Sequence, residues 1–148
     1  MLDWLISDPL AVGTTAPDFS LPDDRGNVVS LASLKGKNVV LVFYPADETT
    51  VCTKQLCEFR DQWADVAAKN TVVFGVNGQG RESHAKFREH RQFPFPLLTD
   101  KGQKTGEKYH TRGLIVKRTV YLIGPDGVIR YSTRGKPDPS EVLAAAVS

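Results

Sequence analysis

This 148-residue chain has two cysteines, Cys52 and Cys57, five positions apart. A thiolate is both a nucleophile and a redox centre. It is favoured in the first turn of a helix, where unpaired N–H groups act like roughly half a positive charge. Thr49 stands three residues before Cys52, where its hydroxyl could hydrogen-bond the sulfur. Pro45 would screen the thiol from water and has no N–H of its own. Cys57 lies a turn further along, where the effect of the helix end has faded. The other reading of Cys52 is a small apolar residue on a core-facing stripe. Spacing alone leaves both readings open.

The elements that must position these residues are legible around them. Residues 39–44, Val-Val-Leu-Val-Phe-Tyr, form an apolar run without polar alternation. That pattern suits a strand buried on both faces, as in a parallel sheet covered by helices. Pro45 ends it, and residues 46–49 make a polar turn. Cys52, Leu56, Phe59, Trp63, Val66 and Ala67 then fall on one helical stripe, predicting a helix over residues 52–69 with Thr49 or Thr50 as N-cap. Cys52 is thereby placed just above the end of a central strand, where open α/β sheets put their ligands.

The rest of the chain fits around this unit. Residues 16–21 and 28–31 read as an N-terminal β-hairpin joined by a polar turn. Residues 71–77 read as a second buried strand, completing a right-handed βαβ unit. Residues 82–92 read as a surface helix, with Ala85 and Phe87 its only apolar positions. Residues 93–98 are extended because Pro94 and Pro96 disfavour helix before them. Thr99 and Asp100 cap a short helix over residues 102–109. Residues 118–123 form a third strand, residues 124–127 a hairpin turn, and residues 128–132 the return strand. A final helix spans residues 139–146. Leu2, Trp4, Leu5 and Ile6 suggest a short apolar patch. This order predicts an α/β, thioredoxin-like fold: a central mixed β-sheet flanked by helices, with an N-terminal β-hairpin, in one domain over residues 1–148.

Composition excludes several functions. A net charge of +2 is too small to argue for nucleic acid or an anionic membrane. No apolar stretch approaches the ~20 residues of a membrane span. The N-terminus carries Asp3 and Asp8 and no basic region, so it does not read as a signal peptide. The expected location is cytoplasmic, where two cysteines suit a reactive or free state better than a permanent staple.

Residues 45–52, Pro-Ala-Asp-Glu-Thr-Thr-Val-Cys, match P-x-x-x-[TS]-x-x-C, and in this the chain resembles the peroxiredoxins of the AhpC/TSA family. The longer run from Phe43 to Asp61, with a second cysteine five residues on, resembles their bacterioferritin-comigratory, or PrxQ, branch. Residues 16–21 and 118–123 resemble that branch's N-terminal strand and its later arginine-bearing strand. The resemblance implies a peroxidase that reduces hydrogen peroxide and organic hydroperoxides. In it Cys52 is the peroxidatic thiol and Cys57 the resolving one, closing an intramolecular disulfide. Thr49 and Arg118 orient and polarise the peroxide, and Pro45 shields the sulfur. Thioredoxin or a similar dithiol is the implied reductant, the chain a monomer or weak dimer, and no cofactor or metal is needed because the redox electrons reside on sulfur. Two positions depart from the branch: Val51 stands where Gly is usual, and Gln55 where Glu is common.

Two other functions compete. A thioredoxin-like thiol–disulfide oxidoreductase would carry C-x-x-C and a proline opposite it; here the spacing is C-x-x-x-x-C, and Thr119 stands before Val120 where a proline would be expected. A copper or zinc module would need more than two soft ligands. His84, His90 and His110 lie scattered in polar stretches and read as surface residues.

Overall fold

The computed structural model describes residues 7–147. The expected patch of Leu2, Trp4, Leu5 and Ile6 lies outside them. An antiparallel hairpin comes first, β1 (Ser20–Pro22) with β2 (Val28–Ser30). Its turn is closed by Asp23, whose Oδ1 accepts from the amides of Arg25 and Asn27.

The main sheet has five strands, ordered β5-β4-β3-β6-β7. In chain order these are β3 (Asn38–Phe43), β4 (Thr71–Asn77), β5 (Leu97–Thr99), β6 (Thr119–Ile123) and β7 (Ile129–Arg134). β3 is central, parallel to β4 and antiparallel to β6. All six of its residues are buried, residues 39–43 as their unbroken apolar run requires. The period of two sends Val40, Val42 and Tyr44 into one core and Val39, Leu41 and Phe43 into the other.

α1 (Thr50–Asp61), α2 (Trp63–Ala68), α3 (Arg81–Arg91) and α5 (Pro139–Leu143) contribute Leu56, Phe59, Val66, Phe87 and Val142 to the first core. The hairpin and Tyr109, just after α4 (Lys104–Lys108), fill the second. Leu56 and Phe59 are fully buried, each stabilising the contact of α1 with the sheet by about 1.5–3 kcal/mol. Among the described residues no helix is long and apolar enough to cross a membrane.

Three expectations are corrected. The helix over residues 52–69 is two helices, because Gln62 leaves the helical region (φ −103, ψ 23). The break lets Trp63 pack against Phe95 with tilted rings, centroids 5.9 Å apart, while Val66 returns to the core. Ala67, expected on the stripe, is exposed. Of the extended stretch 93–98, only its last two residues join the sheet, while Phe93 and Phe95 stack on each other in the core. His84, read as a surface residue, is fully buried: it sits three residues before Phe87 and so shares its inward face.

Candidate active site

Cys52 lies in the first turn of α1, 1% exposed. The first amide bonded within this helix is that of Thr53, to the Thr49 carbonyl. The amides of Thr50, Val51 and Cys52 precede it and form the positive end of the helix beside the sulfur. No acidic side chain in that turn offsets them. Both cysteines are free thiols on one uninterrupted helix, Cys57 half-buried.

Arg118, immediately before β6, is the side chain that reaches the thiol. Its Nη2 lies 3.2 Å from Cys52 Sγ. Its Nη1 donates to Gln55 Oε1 at 2.8 Å. Gln55 is 1% exposed, and its Nε2 lies 3.4 Å from the Gly135 carbonyl, just past β7. A neutral amide thus fixes the guanidinium, and among the described residues the thiol is its other hydrogen-bond partner. The fork spans both contacts at once, which an ammonium does not reproduce.

Thr49 precedes α1 in an extended conformation (φ −85, ψ 153), as an N-cap residue does, but its side chain makes no capping bond. Its hydroxyl donates to the Ala46 carbonyl at 2.8 Å rather than to the sulfur. The expected Thr49–sulfur bond is therefore replaced: the single hydroxyl hydrogen is committed, and the oxygen presents only lone pairs to a further partner. Pro45 is half-buried at the exit of β3. Beside Cys52, Thr53 Oγ1 is buried without a hydrogen-bond partner among the described residues.

Behind the loop lies a group of polar residues that the sequence reading did not bring together. Asp47, in the middle of residues 45–49, is buried with Tyr44, Asn77 and His84. Burial alone would push its carboxyl up, but hydrogen bonds from His84 and Tyr44, the charge of His84 and a bond from Ser83 hold it below the usual carboxylate range. Tyr44 is driven the other way, chiefly by burial and then by Asp47, so it keeps its proton and donates it. The available signal was the spacing of His84 and Phe87 on α3. Among the described residues no three of His, Cys, Asp and Glu come together as metal ligands.

Residues 12–132 match the AhpC/TSA family. Peroxiredoxin Q of Oryza sativa subsp. japonica is 35% identical over 141 residues, covering 93% of this chain and 65% of its own length. This chain thus spans just under two thirds of the rice relative. A Coxiella burnetii protein named as the peroxiredoxin bcp is 39% identical over 132 residues, covering 81% of this chain and 85% of its own. The crystal structure of peroxidoxin BcpB from Mycobacterium tuberculosis superposes with a TM-score of 0.85 at 33% identity, covering 90% of this chain and 94% of that one. The chain belongs to the AhpC/TSA family, in the peroxiredoxin Q/Bcp branch.

Proposed function

We propose that this chain, as one domain, is a thiol-dependent peroxidase acting on hydrogen peroxide and organic hydroperoxides. The observation that carries the reading is the guanidinium of Arg118 held 3.2 Å from a buried thiol at the start of α1. The Cys52 thiolate attacks the terminal oxygen of ROOH. The O–O bond breaks, Cys52 becomes the sulfenic acid, and RO⁻ leaves and takes up a proton. Arg118 stabilises both the attacking thiolate and the charge that develops on oxygen. Thr49, its own hydrogen given to Ala46, accepts the peroxide's O–H hydrogen and so turns the molecule toward the sulfur. Pro45 limits water at the loop.

Cys57 then attacks the sulfenate sulfur, water leaves, and a Cys52–Cys57 disulfide forms. A dithiol reductant of the thioredoxin kind returns both thiols. The half-buried Cys57 and its single-chain partnership with Cys52 fit a monomer or weak dimer. The cytoplasm, which keeps thiols reduced, suits both cysteines.

The test is single-turnover stopped-flow of the reduced protein with one equivalent of hydrogen peroxide or an alkyl hydroperoxide, followed by mass analysis. The parent is expected to form the internal disulfide. Cys57→Ser reacts once and stops at the sulfenic acid, and Cys52→Ser does not react. Peroxide consumption by Cys52→Ser at the parent rate would remove Cys52 from the role.

A further inference from the structure

We propose that His84 and Asp47 are positioning residues for the peroxide reaction, holding the loop of residues 45–49 in place over Cys52. This inference rests on the peroxidase reading above. The loop carries both Pro45 and Thr49, and it is not relaxed: Glu48 adopts φ +62, a left-handed conformation costly for a residue with a side chain. Something outside the loop must over-determine that geometry. The partners of the buried Asp47 carboxylate do so.

Asp47 Oδ1 accepts from the Tyr44 hydroxyl at 2.6 Å and from Asn77 Nδ2 at 3.1 Å. Asp47 Oδ2 accepts from Ser83 Oγ at 2.7 Å and pairs with His84 Nδ1 at 2.7 Å. The Asp47 amide donates to Gln79 Oε1 at 2.5 Å. These donors come from the exit of β3, the end of β4 and the first turn of α3, so one carboxylate ties three elements to the loop. Its roughly four lone-pair sites are all used. His84 is fixed in turn: its Nε2 faces the Leu98 carbonyl at 3.1 Å. Both ring nitrogens meet oxygens that only accept, so a ring that pairs with both donates from both.

Neither residue touches the sulfur or has a free valence for substrate. Their action is transmitted through Asp47 to its neighbours Ala46 and Thr49, which are themselves joined by a hydrogen bond. Loosening the carboxylate frees Glu48 from its left-handed geometry and lets the Ala46–Thr49 hydrogen bond rearrange. The Arg118 contact with the sulfur, held by Gln55, lies outside that network. The peroxide reaction should therefore suffer while the intrinsic reactivity of the thiol does not.

The experiment compares parent, His84→Leu, His84→Asn and Ser83→Ala. Asn restores a donor near the position of Nδ1; Leu restores none. Ser83→Ala removes one donor at a half-buried site and guards against failure of His84→Leu to fold. Two rates are read on each reduced protein: the peroxide reaction of Cys52 and its alkylation by iodoacetamide across pH. The expected result is a peroxide rate lowered at least tenfold in His84→Leu, partly recovered in His84→Asn and lowered several-fold in Ser83→Ala, with the alkylation profile unmoved. An unchanged peroxide rate in every folded variant, or a fall matched by an equal change in alkylation, overturns the proposal. A parent that does not react with peroxide would sink the peroxidase reading itself, a different outcome from fast variants of a fast parent.

Discussion

Gln55 presents a neutral oxygen to Arg118, leaving the full cationic charge of the guanidinium to the Cys52 sulfur. Gln55→Glu would put a carboxylate at the same 2.8 Å contact and share that charge. We expect peroxide reactivity at neutral pH to fall several-fold; an unchanged stopped-flow rate would show that the Gln55–Arg118 contact does not bear on the reaction. Arg118→Ala should cost on the order of 10²–10³ in the peroxide rate, the usual loss for one preorganised donor. The 45–52 motif marks Cys52 in the sequence, and the resemblance of residues 118–123 to the family's arginine-bearing strand marks Arg118; the strand start alone would have left Arg118 an exposed cation. His84 was not legible: among three histidines in polar stretches, only its three-residue offset from Phe87 distinguished it, and Ala85 and Phe87 had already been read as the helix's apolar positions.

At the scale of the element, α1 must change shape for the two cysteines to meet. Five residues on a helix rise about 7.5 Å and turn the side chains roughly 140° apart, whereas a disulfide needs Cα atoms about 4.4–6.8 Å apart with converging Cβ vectors. Hydrogen exchange across residues 51–61 should therefore rise on oxidation, and equal protection in a confirmed internal disulfide would refute the unwinding. Side-chain ties hold the helix closed: Gln55 to the Gly135 carbonyl, Glu58 to Lys136, and Arg60 Nη1 to the Arg91 carbonyl at 2.6 Å. Lys136→Met removes the second. Since a half-exposed pair contributes about 0–1 kcal/mol, disulfide formation after peroxide should quicken by up to about fivefold; a slower step would mean that Lys136 assists closure. The start of this helix was readable from its stripe. Its division at Gln62 was not, because neither Gly nor Pro marks it and the turn serves the distant contact of Trp63 with Phe95.

Across the whole molecule, the sheet order and both cores follow from apolar runs that the chain displays openly, whereas the polar group around Asp47 joins residues from 44 to 98 that no local pattern connects. That group also sets the acid limit of the fold. Because the Asp47 carboxyl is held below its usual range, its stabilising contribution is complete above the ordinary carboxylate value of about 3.9 and is lost as pH falls through the lower folded value. Asp47→Asn should lower stability at pH 7 by roughly 3–5 kcal/mol, since it leaves His84 buried without its partner. It should also flatten the loss of stability below pH 4. Urea midpoints at pH 7, 4 and 3 measure both; parallel pH profiles for parent and variant would assign the acid sensitivity elsewhere.

If Cys52 and Cys57 form the proposed redox couple, the hydroxyl of Thr53, buried beside Cys52 without a partner among the described residues, bears on its reduction potential. Such an unmet group costs roughly 1–3 kcal/mol, which hydration would remove if the helix opens around a disulfide. On the proposed cycle, Thr53 would then lower the potential and lengthen the life of the oxidised protein. Thr53→Val keeps the shape and removes a polar atom that is unmet only in the reduced state. A gain of about 1.4 kcal/mol raises a two-electron potential by about 30 mV. Equilibration of parent and Thr53→Val against a series of dithiol–disulfide buffers should show that upward displacement, and a potential unchanged or lower would mean that the hydroxyl is equally unsatisfied in both redox states.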